Sequence, residues 1–94
     1  MSRSVNALVT AVYSGTFDPL TLGHEDAIRR AAQMFDEVII AVAVAHHKKT
    51  LFSLDERVAL TQAALADCPN VKALPFDGLI VEFVRSQNAQ VIVR

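Results

Sequence analysis

The segment Glu37-Val38-Ile39-Ile40-Ala41-Val42-Ala43-Val44-Ala45 decides the fold class. A strand with one wet face alternates apolar and polar residues. This one is apolar on both sides after its first residue, as in a parallel strand covered by helices above and below. The run Val38 to Ala45 falls far short of the ~20 residues that a membrane-spanning helix needs. The rest of the chain supplies the cover. Ala7 to Tyr13 reads as a first buried strand, bounded by Ser14-Gly15. His24 to Phe35 reads as a helix: Ala27, Ile28, Ala31, Ala32 and Phe35 make one apolar face, and Glu25, Asp26, Arg29, Arg30 and Gln33 cover the other. Ser53 and Glu56 form a capping box that opens a second helix to about Leu65 or Ala66. Val71 to Leu74 is a short third strand, Asp77-Gly78 a turn, and Leu79 to Ser86 a third helix with Ile80, Phe83 and Val84 inward. Val91 to Val93 starts a fourth strand.

A helix in every crossover predicts a Rossmann-like parallel α/β sheet with flanking helices. The expected strand order is 3-2-1-4, with the topological switch between strands one and four. The fourth strand ends at Arg94 with no helix after it, so 1–94 reads as the N-terminal part of a longer single domain. Composition narrows the function. Ninety-four residues suit one domain, and 52% apolar residues exclude a disordered chain. Nine Lys+Arg against ten Asp+Glu, a net charge of −1, argue against a non-specific nucleic-acid binder. The single cysteine, Cys68, excludes an internal disulfide and a cysteine-based zinc site. The run Val5 to Val9 is broken by Asn6 and Thr10 and does not read as a signal peptide, so the expected compartment is the cytoplasm.

Open parallel sheets bind ligands at the carboxyl ends of their strands. There the sequence places Thr16 and His24 after the first strand, His46-His47-Lys48-Lys49 after the second, Phe76 to Ile80 after the third, and Arg94 on the fourth. The hydroxyl of Thr16, the imidazole of His24 and the cations Lys48 and Arg94 suit phosphate oxygens. Gly15 allows a close turn, and Gly23 leaves room for a ligand at the mouth of the helix. Free N–H groups there attract anions, and the helix dipole favours an uncharged ring, so His24 is expected to donate one N–H to a phosphate oxygen. The loop matches neither G-x-G-x-x-G nor G-x-x-x-x-G-K-[ST], which argues against dinucleotide-fingerprint and P-loop proteins. His46 and His47 are adjacent and point apart, so they read as surface rather than as metal ligands. Asp18 before Pro19 reads as a turn former, and Cys68 as a partly buried small residue.

These residues carry a resemblance. Tyr13-Ser14-Gly15-Thr16-Phe17-Asp18-Pro19 followed by Thr21-Leu22-Gly23-His24 resembles the signature of the [HT]-x-G-H nucleotidyltransferase superfamily. Ala32 to Ile39, Lys48-Lys49, Phe52 to Arg57 and Val91 to Arg94 narrow it to the bacterial phosphopantetheine adenylyltransferase family, from Leu8 onward. The resemblance implies AMP transfer from ATP to 4′-phosphopantetheine, giving dephospho-coenzyme A and pyrophosphate. It implies that Thr16 binds the acceptor phosphate and touches ATP, and that Phe17 adds its backbone to the ATP site. It makes His24 the catalytic residue on the ATP phosphates, sets Lys48 and Arg94 on the acceptor side, and puts Ile80 on the pantetheine path. Mg2+ would be held mainly by ATP phosphates and water. A hexamer is implied as well. Ser14 stands where many members have proline. The family continues past Arg94 with stretches that build much of the adenine and triphosphate site, so 94 residues alone are expected to bind acceptor without catalysing transfer. Two rivals stay open: another nucleotidyltransferase of the superfamily, acting with ATP or CTP on a different acceptor, and a non-catalytic phosphate-binding fragment.

Overall fold

The computed structural model of the chain describes residues 8–46 and 49–93. Lys48 and Arg94, and with them His47 and Ala7, lie outside the described residues. The elements run β1 (Thr10–Gly15), α1 (Leu22–Met34), β2 (Glu37–Ala43), α2 (Leu54–Ala64), β3 (Val71–Phe76), α3 (Ile80–Ser86) and β4 (Val91–Val93). The four strands form one sheet in the order β3-β2-β1-β4, and all three pairings are parallel. The expected order is therefore found, with the switch between β1 and β4.

The apolar run in β2 explains the layering. Val38, Ile40 and Val42 join Ile28 and Ala31 of α1 and Leu65 behind α2 in one core cluster. Ile39 and Ala41 point the other way, with Val12 of β1, against Ile80, Phe83 and Val84 of α3. The two-residue period of a strand thus sends alternate side chains into two helical layers. Central β2 is buried on both faces from Val38 to Val42. The predicted apolar face of α1 holds: Ile28 and Ala31 are buried, and Ala32 and Phe35 pack beside them.

Boundaries shift for physical reasons. β1 begins at Thr10 and continues through Ser14 and Gly15, which pair with Ala41 and Val42 of β2. β2 stops two residues early, at Ala43, although the Val44 N–H still donates to the Phe76 carbonyl at 3.0 Å. β3 runs past Leu74 to Phe76 and takes in Pro75, which an edge strand tolerates because its missing N–H can face away from the ladder. Gly78 makes the predicted turn at φ 89°, in the left-handed region glycine favours. The Ser53 side chain accepts the Glu56 N–H, and the Glu56 carboxylate accepts the Ser53 N–H, so the predicted capping box closes at the start of α2.

Candidate functional site

Three loops leave the carboxyl edge of the sheet, and charged side chains tie them together. The β1–α1 loop runs from Thr16 to Thr21. Phe17 turns inward and is 3% exposed, while its backbone takes a φ of 50°. A left-handed conformation costs a bulky residue about 1–3 kcal/mol. Burying the ring returns about as much. The ring lies over Gly15, where a Cβ would come within 2.9 Å of it. Gly15 is thus required by the Phe17 ring. Gly23 differs: a Cβ there would meet only the Thr21 hydroxyl, at an ordinary 3.7 Å, so no protein packing demands glycine and the space beside it is open.

The first helix begins earlier than its apolar pattern suggests. Thr21 is the N-cap and His24 is the third residue of α1. The His24 N–H donates to Thr21 Oγ1 at 3.2 Å, and the Thr21 N–H donates to His24 Nδ1 at 3.1 Å. Histidine fills the place that glutamate or glutamine usually takes in a capping box. The bond fixes the tautomer. With Nδ1 an acceptor, the proton of the neutral ring sits on Nε2 and is left to donate elsewhere. The ring is steadied by edge-to-face contacts with Phe17, centroids 5.0 Å apart, and with Tyr13 at 6.4 Å. Phe17 and His24 are therefore in contact, and Thr16 adjoins them.

Two features of this edge escaped the sequence reading. Asp18 does more than form a turn: its carboxylate accepts the Leu51 and Phe52 N–H groups at 2.6 and 2.9 Å, pinning the chain ahead of α2 to the first loop. Arg57 lies on α2 and is 2% exposed. Its Nη1 donates to the carbonyls of Thr16 and Ala43, both at 2.8 Å, and its Nε to that of Phe52 at 3.2 Å. An arginine one turn into a helix gives no sequence signal of burial.

The second and third loops meet through His46, whose Nε2 lies 2.7 Å from Asp77 Oδ1. That hydrogen bond holds the Asp77 carboxyl below the usual aspartate range. Ile80 opens α3 at the same sheet edge, half-buried, and packs into the layer opposite α1. Cys68 is a partly buried free thiol beside the Arg29 guanidinium, as a small packing residue would be. Arg29 itself leaves the solvated role expected of it and bonds Asp67 at 2.8 Å, tying α1 to the end of α2. Among the described residues, no group of three or more His, Cys, Asp or Glu side chains could hold a metal ion. No helix among them is long and apolar enough to cross a membrane.

Comparison with known proteins agrees with this geometry. The chain is 61% identical over 88 residues to the phosphopantetheine adenylyltransferase of Acidovorax sp. (strain JS42), covering 94% of this chain and 53% of the relative. To the enzyme of the same name from Bordetella avium (strain 197N) it is 55% identical over 87 residues, 93% of this chain and 52% of the relative. The chain spans about half the length of the curated relatives it matches. Among solved structures, the NadR protein in complex with NAD and AMP-PNP superimposes with a TM-score of 0.71 at 21% identity, over 89% of this chain and 28% of that one, which is a likeness of fold. A parallel sheet in the order 3-2-1-4 with a capping-box helix after β1 is the setting, and a family model matching residues 12–94 shows that the chain belongs to the cytidylyltransferase-like family.

Proposed function

We propose that residues 1–94 form part of a nucleotidyltransferase domain that transfers the adenylyl group of ATP to 4′-phosphopantetheine, giving dephospho-coenzyme A and pyrophosphate. The observation that carries this reading is His24: Nδ1 is occupied as an acceptor, and the Nε2 proton is free at a helix N-terminus. The names of the relatives support the choice of acceptor.

The chemistry asks little more of the protein. An acceptor phosphate oxygen is already anionic at neutral pH and needs no general base. It attacks the α-phosphorus of ATP, the bond to the bridging oxygen breaks, and pyrophosphate leaves with the electron pair. Catalysis then consists of alignment and of donors aimed at developing charge. His24 Nε2–H is such a donor on the ATP phosphates. Thr16 sits between both substrates, and the Phe17 backbone borders the nucleotide. Lys48 and Arg94 neutralise the acceptor phosphate, and Ile80 gives the pantetheine arm an apolar wall. Magnesium would be held mainly by the ATP phosphates and water, where it would neutralise charge on the leaving pyrophosphate. The chain works in the cytoplasm, and the family resemblance adds a hexamer, which sedimentation velocity tests.

Calorimetric titration with 4′-phosphopantetheine and with pantetheine, which lacks the phosphate, tests the assignment. Binding of the first and at least tenfold weaker binding of the second are expected, since a charge-assisted contact contributes about 1.5–3 kcal/mol. Equal affinities would remove the acceptor phosphate from the site. Tighter binding of CTP than ATP would favour a different member of the family.

A further inference from the structure

Arg57 is a charged side chain that the mechanism above does not use. A buried guanidinium must be hydrogen-bonded to be tolerated, and it keeps its charge inside proteins. Here the bonds all go to backbone carbonyls: Thr16 just past β1, Ala43 at the end of β2, and Phe52 ahead of α2. Among the described residues no carboxylate makes an ion pair with it. One side chain thus fixes the carboxyl ends of two adjacent strands, at the edge where Thr16 and His24 stand. It also leaves a buried positive charge beneath that loop with no carboxylate in ion-pair range among the described residues.

We propose that Arg57 is a positioning residue of the phosphate site: its guanidinium holds the ends of β1 and β2 in register for the ligand, and its buried charge is balanced by the bound anion. This rests on the reading of the sheet edge as a phosphate site. It goes beyond that reading by assigning part of the affinity to a residue that acts through the Thr16 carbonyl and through its field.

Inorganic pyrophosphate, titrated calorimetrically into the chain at low salt without metal, is the probe. Arg57→Met is expected to weaken binding roughly tenfold or more, because an opposite charge at short range in a partly buried site is poorly screened. Arg57→Lys keeps the charge but loses the fork, and falls between Met and wild type. Val58→Ala, a packing change at the neighbouring position on α2, lowers stability and leaves the affinity of the folded chain unchanged. A merely structural arginine would make affinity follow stability in all three. Wild-type affinity in Arg57→Met, or an equal loss in Val58→Ala, overturns the proposal. If Arg57→Met does not fold, Arg57→Lys decides, and affinity equal to wild type overturns it. A wild-type chain that binds pyrophosphate but not 4′-phosphopantetheine sinks the acceptor assignment and leaves the role of Arg57 standing; one that binds neither overturns both.

Discussion

His24→Glu separates the structural duty of the histidine from its chemical one. Glutamate three residues after a threonine cap is the usual capping-box partner, so its carboxylate can accept the Thr21 N–H that Nδ1 now accepts at 3.1 Å. A negative charge in the first turn of α1 adds about 0.3–1 kcal/mol through the helix dipole. The substitution also removes the edge-to-face contacts with Phe17 and Tyr13, which contribute about 0.5–1.5 kcal/mol. These nearly cancel, and the net change in stability is within about 1 kcal/mol. The ligand fares differently. It loses a charge-assisted donor, about 1.5–3 kcal/mol, and meets a carboxylate that repels it by about 1 kcal/mol or more. Affinity for a phosphate ligand should therefore fall on the order of 100-fold. Urea denaturation gives the first quantity, and calorimetry with ATP and 4′-phosphopantetheine the second. A variant destabilised by several kcal/mol would show that the ring packs rather than caps. Unchanged affinity would show that Nε2 donates to no ligand.

Gly15→Ala forces a Cβ to within 2.9 Å of the Phe17 ring and should cost about 1–3 kcal/mol, read as a lowered Tm. Asp18→Ala frees the Leu51 and Phe52 N–H groups, and hydrogen exchange at those two amides should speed up while amides in β2 keep their protection. The Ser53 backbone N–H, aided by its hydroxyl, holds the Glu56 carboxyl below the usual glutamate range. Its folded pKa is depressed, so the cap's contribution is complete above the ordinary glutamate value and is lost as pH falls through the lowered one. A Glu56 titration by NMR at or above the ordinary glutamate value in the wild-type chain would contradict this.

The sheet was legible because β2 carries no polar residue between Val38 and Val42, a pattern that a half-solvated strand cannot have. The second helix was legible because Ser53 and Glu56 are the residues a capping box ordinarily uses. The first helix was misplaced by two residues because Thr21 and His24 make the same motif with an unusual partner, and Leu22 at its start is exposed and outside the apolar stripe. The site was legible as residue types at strand ends. The ties that build it were not. Asp18 reaches 33 positions along the chain to Leu51, and Arg57 reaches 41 back to Thr16. Such contacts depend on how the loops fold over the sheet edge, and no local periodicity encodes them.

The account turns on the imidazole proton of His24, and nitrogen-15 NMR of the histidine side chains reads it directly. In the free chain at neutral pH, His24 should show an unprotonated Nδ1 and a protonated Nε2, with a cross-peak from the Thr21 amide proton to Nδ1. Addition of ATP should move the Nε2 resonance and its proton while Nδ1 stays an acceptor. A proton on Nδ1 in the free chain, or an Nε2 signal indifferent to saturating nucleotide, would contradict it.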